Sequence, residues 1–540
     1  MMRRLFALTI ALAWLAGCGG RASGPSNPIP FAPAGVAPQP RVTRDTNVNE
    51  LPEPPVVRAV HGVAKVSLIA AIDPATGLPA FQYEGHNAVA PTIEVKPGES
   101  FDVDLTDQLP PTAGAQSYMN LHFHGLGVSP RGDGDNVLGI VAKPGQTLHY
   151  VVHVPKNQEP GLYWYHPHVH GQTNFQVGEG GMSGAIVIDG LEKHLPGLAK
   201  MKQRLIVVRA TGIGVNAPPN RGMEDMDDMS EMPDVPDSSD ASVSTHVRPD
   251  GSNTNPCTFK DGLTVTLNGA YHPVITIAPG EKQFFRVVNA TGHKTLRLNM
   301  DGGSGFQVVA IDGFALDTYK GAPPTLTEST ITIPSAARAE FVVTGPKSGG
   351  AKLRTLCYYT GPNGDADPYL YLAHIAPPKG KTGGDFSNAP LTVGSPLPDN
   401  VYTEALPAPS AKRLVVFSEN NKPHFFINGK SFSLRAPPMF VVHTGTVEEW
   451  TVENLTQEIH DFHIHQIHFV VETINGVKVA HPHWADSVII PHRSEGPKGS
   501  PGKVVMLMDF RDPVIRGEFV FHCHILDHED QGMMAKIEAI

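Results

Sequence analysis

Four short segments carry histidines two residues apart: residues 120–125 (NLHFHG), 164–171 (WYHPHVHG), 460–466 (HDFHIHQ) and 521–534 (FHCHILDHEDQGMM). Side chains two apart on a β-strand leave the same face, so each pair aims two imidazoles at one place. Eight paired imidazoles with no carboxylate among them suit copper, zinc, iron or nickel rather than magnesium or calcium. The last segment narrows the choice. Cys523, with His528 five residues later, Met533 ten later and distant His460, makes a two-histidine, one-thiolate set with a thioether, the donors of a blue-copper electron-transfer site. Because side chains alternate, Cys523 points one way while His522 and His524 point the other. One strand thus joins a one-electron site to a second metal site through covalent bonds, as a protein must when it feeds single electrons to a multi-metal centre.

Such pairs need strands to carry them, and the sequence repeats a strand pattern three times. Residues 90–107, 272–291 and 436–456 each read as an alternating apolar segment, a turn with glycine (Gly98, Gly280, Gly445) and a second alternating segment. Period-two patterning with turn punctuation predicts antiparallel sheet. Spacings of 182 and 165 residues between these glycines set the size of the repeating unit and predict tandem β-sandwiches. A second echo links only the outer units: residues 161–172 align without a gap to 517–528, placing His166 and His168 opposite His522 and His524. His463 and His465 stand eighteen and twenty residues after Gly445, and the same offsets from Gly280 give Leu298 and Met300. The outer units are therefore expected to carry the chemistry and the middle one to separate or support them.

Composition agrees with this class. Among 540 residues, 54 are Gly and 50 Pro, only 18% are charged and 40% are hydrophobic. That mix disfavours long helices and wholesale disorder alike. A net charge of −11 without a Lys/Arg run argues against nucleic acid as a partner. Residues 1–17 read as a secretory signal, with Arg3 and Arg4 before an apolar run too short to span a bilayer permanently. The run ends at Leu15-Ala16-Gly17-Cys18, which resembles the lipobox of bacterial lipoproteins, whose cysteine is freed and acylated. Residues 18–55, with nine prolines from 19 onward, read as an extended tether. The expected location is outside the cytoplasm: a lipid-anchored body in the periplasm or beyond the cell. There Cys257 and Cys357 could pair, closing a long loop worth on the order of 4 kcal/mol.

Taken together, the four motifs resemble those of the multicopper oxidases, of the laccase and bacterial copper-oxidase kind, over about residues 56–540. The resemblance implies an all-β chain of three tandem cupredoxin-like Greek-key β-sandwich domains, here 56–195, 196–395 and 396–540, the second without copper ligands. It implies four copper ions, one of type 1, one of type 2 and two of type 3. By motif position the type 1 ligands would be His460, Cys523, His528 and axial Met533, and the type 2 ligands His122 and His463. His124, His166 and His524 would hold one type 3 ion, and His168, His465 and His522 the other. The implied partners are dioxygen and a small reductant, either a phenol or aromatic amine or Cu(I), with the membrane met only through the lipid and the body a monomer. Dioxygen would be reduced to water with electrons from a phenol or aromatic amine, the laccase-like reading, and a cuprous-ion oxidase serving copper tolerance or a non-catalytic copper-binding protein of the same fold are the alternatives. Glu529 matches a family position proposed for proton relay. Asp135 or Asp133 could be the carboxylate near the cluster, and Asp135 is preferred. Met223, Met226, Met229 and Met232, set among acids, suit Cu(I) through their thioethers; the same run also suits a solvated acidic loop. His170, His468, His481 and His483 fall outside the ligand pattern and are read as structural or exposed.

Overall fold

The computed structural model describes residues 50–111, 117–211, 257, 263–302, 305–380, 385–387, 390–420, 424–496 and 498–540, all within the unit spanning 47–540. The leader, Cys18, the tether up to residue 49 and the methionine-rich run 223–232 lie outside the described residues. Six sheets form three face-to-face pairs, so the chain is all-β with three cupredoxin-like sandwiches. The first pair centres on Val63–Ile72 and Ser100–Asp107 in one sheet and Gly161–His166 and Gly184–Ile188 in the other. The second has Lys282–Asn289 and Arg338–Thr344 facing Leu296–Met300 and Ala351–Thr355. The third has Thr446–Asn454 and Gly502–Phe510 facing His460–Ile464 and Gly517–Cys523. Each pair encloses its own apolar core. No helix among the described residues is long and apolar enough to cross a membrane.

The three repeats are not hairpins. In each, the strand before the glycine joins one sheet and the strand after it joins the other: Thr92–Val95 lies beside Gly184–Ile188, whereas Ser100–Asp107 lies beside Val63–Ile72. Both of these pairings are parallel, as are the equivalent ones at Lys282–Asn289 and Thr446–Asn454. Alternation reports only that a strand has one buried face; it cannot name the neighbour. The glycines, with φ of +87°, +76° and +83°, supply the left-handed turn that carries the chain from sheet to sheet.

The tether is also shorter than expected. Leu51 is buried in the second core and its N–H donates 2.8 Å to the carbonyl of Val274. Buried Arg204 binds Glu50 and Glu53, each at 3.0 Å. Residues 50–53 are therefore fixed to the second sandwich rather than free, and the Pro55 carbonyl accepts from Thr92 of the first. Cys257 and Cys357 are joined, with Cα atoms 5.3 Å apart.

The sandwiches meet through close contacts. A side chain at Gly161 would overlap the carbonyl of Gly313 across the first junction. Leu162 and Trp164 of the first sandwich, Val207 and Val288 of the second and Leu526 of the third share one apolar cluster. Asp461 of the third accepts the Ser335 N–H of the second at 3.0 Å, and its other oxygen has no partner among the described residues. Burial lifts this carboxyl to about 7, with the Ser335 N–H opposing. An acid raised in the fold above its unfolded value of about 3.9 loses stability as pH climbs through the folded value. Asp461→Asn, which keeps an acceptor for Ser335, is expected to be more stable than the parent above pH ~7, by up to about 4 kcal/mol, and to converge with it at acid pH; urea unfolding on either side of that value checks this.

Candidate metal centre

The third sandwich builds the thiolate site. Strands His460–Ile464 and Gly517–Cys523 pair antiparallel with Phe462 opposite Cys523 and His463 opposite His522. A short helix, Leu526–Asp530, returns His528 to the sulfur. His460 Nδ1 and His528 Nδ1 lie 3.0 Å apart, and Cys523 Sγ is 3.5 and 3.7 Å from them. The Cys523 N–H donates to the Met533 carbonyl at 3.0 Å and the Met533 N–H to that of His528 at 2.9 Å, so the fully buried methionine is tied beside the other three. Thr456 Oγ1, 2.9 Å from His460 Nε2, orients that ring. Burial, followed by the nearby Asp461 charge, pushes the Cys523 thiol well up, so a bound cation is what would favour thiolate here.

The second site lies between the first and third sandwiches. Strand His122–His124 pairs with Gly161–His166, His122 opposite His166, and faces the His463–His522 pair. All eight imidazoles at 122, 124, 166, 168, 463, 465, 522 and 524 are at most 3% exposed. Rings from the two sandwiches stack, His122 on His465 at 3.7 Å and His124 on His463 at 3.8 Å. The Nε2 atoms of His168, His465 and His522 converge to 3.2–3.3 Å, the set implied for one type 3 ion. His124, His166 and His524 surround the same cavity with ring centres 5.3–5.8 Å apart. The His122 donor lies within 4.8 Å of those of His124 and His166, and also of His463 and His465.

These residues fit metal ions on two observations. Nε2 of His122, His166 and His463 and both nitrogens of His524 are buried without a partner among the described residues, which is costly unless something binds them. Burial, reinforced by neighbouring imidazoles, holds His122, His166, His465 and His524 well below their ordinary range, so they stay neutral, the form that ligates. Two imidazoles and a thiolate at one site and an all-imidazole cavity at the other are borderline-to-soft donors, as copper prefers.

Carboxylates surround the cavity. Asp135 is buried, 2.9 Å from His122 Nδ1, and accepts from the Phe123 N–H and from Gln466 Nε2 at 2.6 Å; Asp133 is exposed. Burial raises Asp135 to about 7 against those two donors. Glu529 is buried 3.1 Å from His522 Nδ1 and 3.7 Å from His168 Nε2, and accepts from Thr173 Oγ1 at 3.2 Å. Burial would raise it, but His168 and His522 hold it well below the usual carboxylate range.

Sequence reasoning missed Asp486. Its carboxylate lies 3.3 Å from His124 Nε2 and 3.4 Å from His468 Nε2, and its carbonyl 2.8 Å from His463 Nδ1. Arg338 of the second sandwich grips it with both Nη atoms at 2.8 and 2.7 Å. Gly125, directly after His124 and at φ +85°, leaves the space, since a Cβ there would overlap the Arg338 guanidinium. No spacing rule links positions 124, 338 and 486; the one local hint was a glycine after the first histidine pair. His468, read as structural or exposed, is buried against Asp486.

Multicopper oxidase family profiles match residues 79–193 and 406–539, the segments that hold the paired histidines. The multicopper oxidase mco of Staphylococcus epidermidis is 26% identical over 462 residues, covering 84% of this chain and 83% of that protein. A Bacillus subtilis laccase is 25% identical over 499 residues, covering 85% and 91%. In fold, the chain resembles a Campylobacter jejuni multicopper oxidase described as a metallo-oxidase (TM-score 0.65, 22% identity, 91% of this chain and 96% of that one). It also resembles a laccase-like enzyme of Ochrobactrum sp. (TM-score 0.64, 20% identity, 91% and 100%). With the histidine constellation in place and both profiles falling on the sandwiches that supply it, the chain belongs to the multicopper oxidase family.

Proposed function

We propose that the protein is an exported oxidase that accepts single electrons at the His460, Cys523, His528 and Met533 site and spends four of them reducing dioxygen to water in the eight-histidine cavity. The observation that carries this reading is strand Gly517–Cys523 with its continuation to His524: the sulfur lies in the third core, while the rings on either side of it reach the cavity. Copper bound at the two sites, four ions as the resemblance implies, would supply one-electron exchange and dioxygen reduction. The chain's own contribution is positioning and protons. Burial keeps bulk water from the imidazoles, Asp135 fixes the tautomer and orientation of His122 and is the acid there with a labile proton, and Glu529, held ionised by His168 and His522, supplies negative charge beside them. Cys523→Ser is expected to abolish blue absorbance and oxygen uptake with the fold intact, checked by visible spectra, oxygen electrode and circular dichroism; retained turnover would contradict the electron route.

The surroundings of His528 favour a metal cation as donor. Its outer nitrogen lies 3.6 Å from Glu458, which shares a hydrogen bond with Glu419; one Glu419 oxygen has no partner among the described residues. Exposed Asp365 and Asp527 lie close enough to add their charge. Burial, then mutual repulsion, lifts Glu458 far above its ordinary value, and burial lifts Glu419 to about 7. A cation such as Fe(II), Mn(II) or Cu(I) would relieve both beside the ring that passes the electron. Met223, Met226, Met229 and Met232, outside the described residues, are proposed from their thioethers alone to bind Cu(I). The laccase reading, with phenols or aromatic amines as donors, is the second one, supported by the likeness to the Bacillus subtilis laccase. Glu419→Gln with Glu458→Gln is expected to raise KM for metal donors roughly tenfold, about 1.4 kcal/mol, and to leave phenols unchanged; an equal effect on both would favour the laccase reading.

Anchoring is proposed from sequence alone. Cys18→Ala should move the protein from membrane to soluble fractions on fractionation of the native host.

A further inference from the structure

At the meeting point of the three sandwiches lies a cavity of about 20 Å³ whose walls include Glu159, Phe314, Asn400, Gln466, His468 and Asp512. That volume holds one water. Three buried atoms of its lining residues have no hydrogen-bond partner among the described residues: Glu159 Oε2, Gln466 Oε1 and His468 Nδ1. Their chemistry is complementary. His468 Nε2 has only acceptors near it, the Asp486 carboxylate at 3.4 Å and the Asp312 carbonyl at 3.3 Å, so it carries the proton and Nδ1 is left an acceptor. The Gln466 oxygen is an acceptor. Glu159 is 1% exposed with Oε1 taken by the Asn400 amide at 2.7 Å, which leaves Oε2 as the position for an acid proton. One water accepting from Glu159 and donating to His468 and Gln466 satisfies all three, the usual number for a buried water.

The water's two acceptors lead to the metal cavity. Gln466 donates to Asp135, which holds His122; His468 donates to Asp486, which touches His124. We propose that Glu159, this water and His468 form a buried proton store that compensates charge when electrons enter the eight-histidine cavity. The Glu159 O–H bond breaks as a water O–H forms, while the water's other proton passes to His468 Nδ1; no electrons move. The product is a glutamate held by Asn400 and an imidazolium facing the Asp486 carboxylate. The inference rests on the oxidase reading above.

The charged surroundings favour this order. Burial raises Glu159 to about 8, the Asn400 amide and His194 opposing and Asp317 adding to it, so the proton starts on the carboxyl at neutral pH. His194 stands 2.9 Å from Asp317, and the Tyr163 hydroxyl is spent on the Glu159 and Gly313 carbonyls. Around His468 the charged groups are Asp486 and, behind it, Arg338 and Asp312; the rings of Phe314 and Tyr402 pack on it. Asp512, on the outer wall, accepts from the Val514 N–H.

Infrared difference spectra of the copper-loaded parent against Glu159→Gln should show a protonated carboxyl band that is lost in the variant. The band should fade as pH rises through about 8 and shift in His468→Gln. No band lost at neutral pH, or a band indifferent to His468→Gln, overturns the store. Should His468→Gln not fold, nitrogen NMR of the fully reduced, diamagnetic parent reads the ring directly: a protonated Nδ1 at neutral pH supports the store and a bare Nδ1 overturns it. In turnover, each variant should slow oxygen reduction roughly tenfold, about 1.4 kcal/mol, with copper content and blue absorbance kept. The double variant should be no slower than either single one, because the residues act as a unit; multiplicative losses overturn the proposal. If the parent consumes no oxygen with any donor, the oxidase reading fails, while the infrared and NMR outcomes still decide whether the proton is shared.

Discussion

Eight imidazoles are packed out of water, and several of their nitrogens find no partner among the described residues. An orphaned buried polar atom costs on the order of 1–3 kcal/mol, so ligation of these nitrogens would stabilise the interface of the first and third sandwiches. Folding and metal binding are therefore one equilibrium at this interface. Neither outer sandwich can satisfy the condition alone, since each supplies two of the four histidine pairs. What the rest of the chain must do is hold the two halves in register to within the length of a coordinate bond.

The second sandwich does much of this holding. Arg338 reaches from it to Asp486, and Asp486 touches His124 of the first sandwich and His463 and His468 of the third. Ser335, three residues before Arg338, binds Asp461 beside His460. A buried ion pair is weak evidence for net stability, because desolvation offsets the attraction; its value here is geometric, since a two-pronged guanidinium fixes a carboxylate in position and plane. The middle domain lies between the outer two in sequence only; in space the outer two touch, and the middle one sets their register.

That distinction marks the limit of what could be read from the chain. Strand alternation is local, so His122 with His124, His166 with His168 and Cys523 between two histidines could be placed on common or opposite faces without a structure. Repetition is visible in a string of letters, so the three sandwiches were legible too. Whether residues 90–107 made a hairpin or a crossover was not, because alternation is silent on which strand lies alongside. Nor could Asp486, Glu159 or His468 be singled out: each makes contacts over 100 residues or more, such as Glu159 with Asn400, Asp486 with Arg338 and His468 with Asp312, and nothing local distinguishes them from surface residues. The carboxylates at His528 were hidden for the same reason, Glu419 standing 109 residues before it.

The acids near the cavity divide by their neighbours. Asp486 is held far below the ordinary range by Arg338 and His124 despite burial, and Glu529 is held low by His168 and His522; both are fixed negative charges suited to balancing bound cations. Asp135 faces no arginine, and with only neutral donors against it burial lifts it to about 7. Among the described residues it is the acid bonded to a cavity imidazole whose proton is labile near neutral pH, and Gln466 joins it to the water position proposed beside Glu159, as His468 joins Asp486. Proton traffic and charge balance are thus assigned to different carboxylates. The feature that separates them is whether a cation already stands beside the acid, an arrangement set by the packing of three sandwiches rather than by any motif.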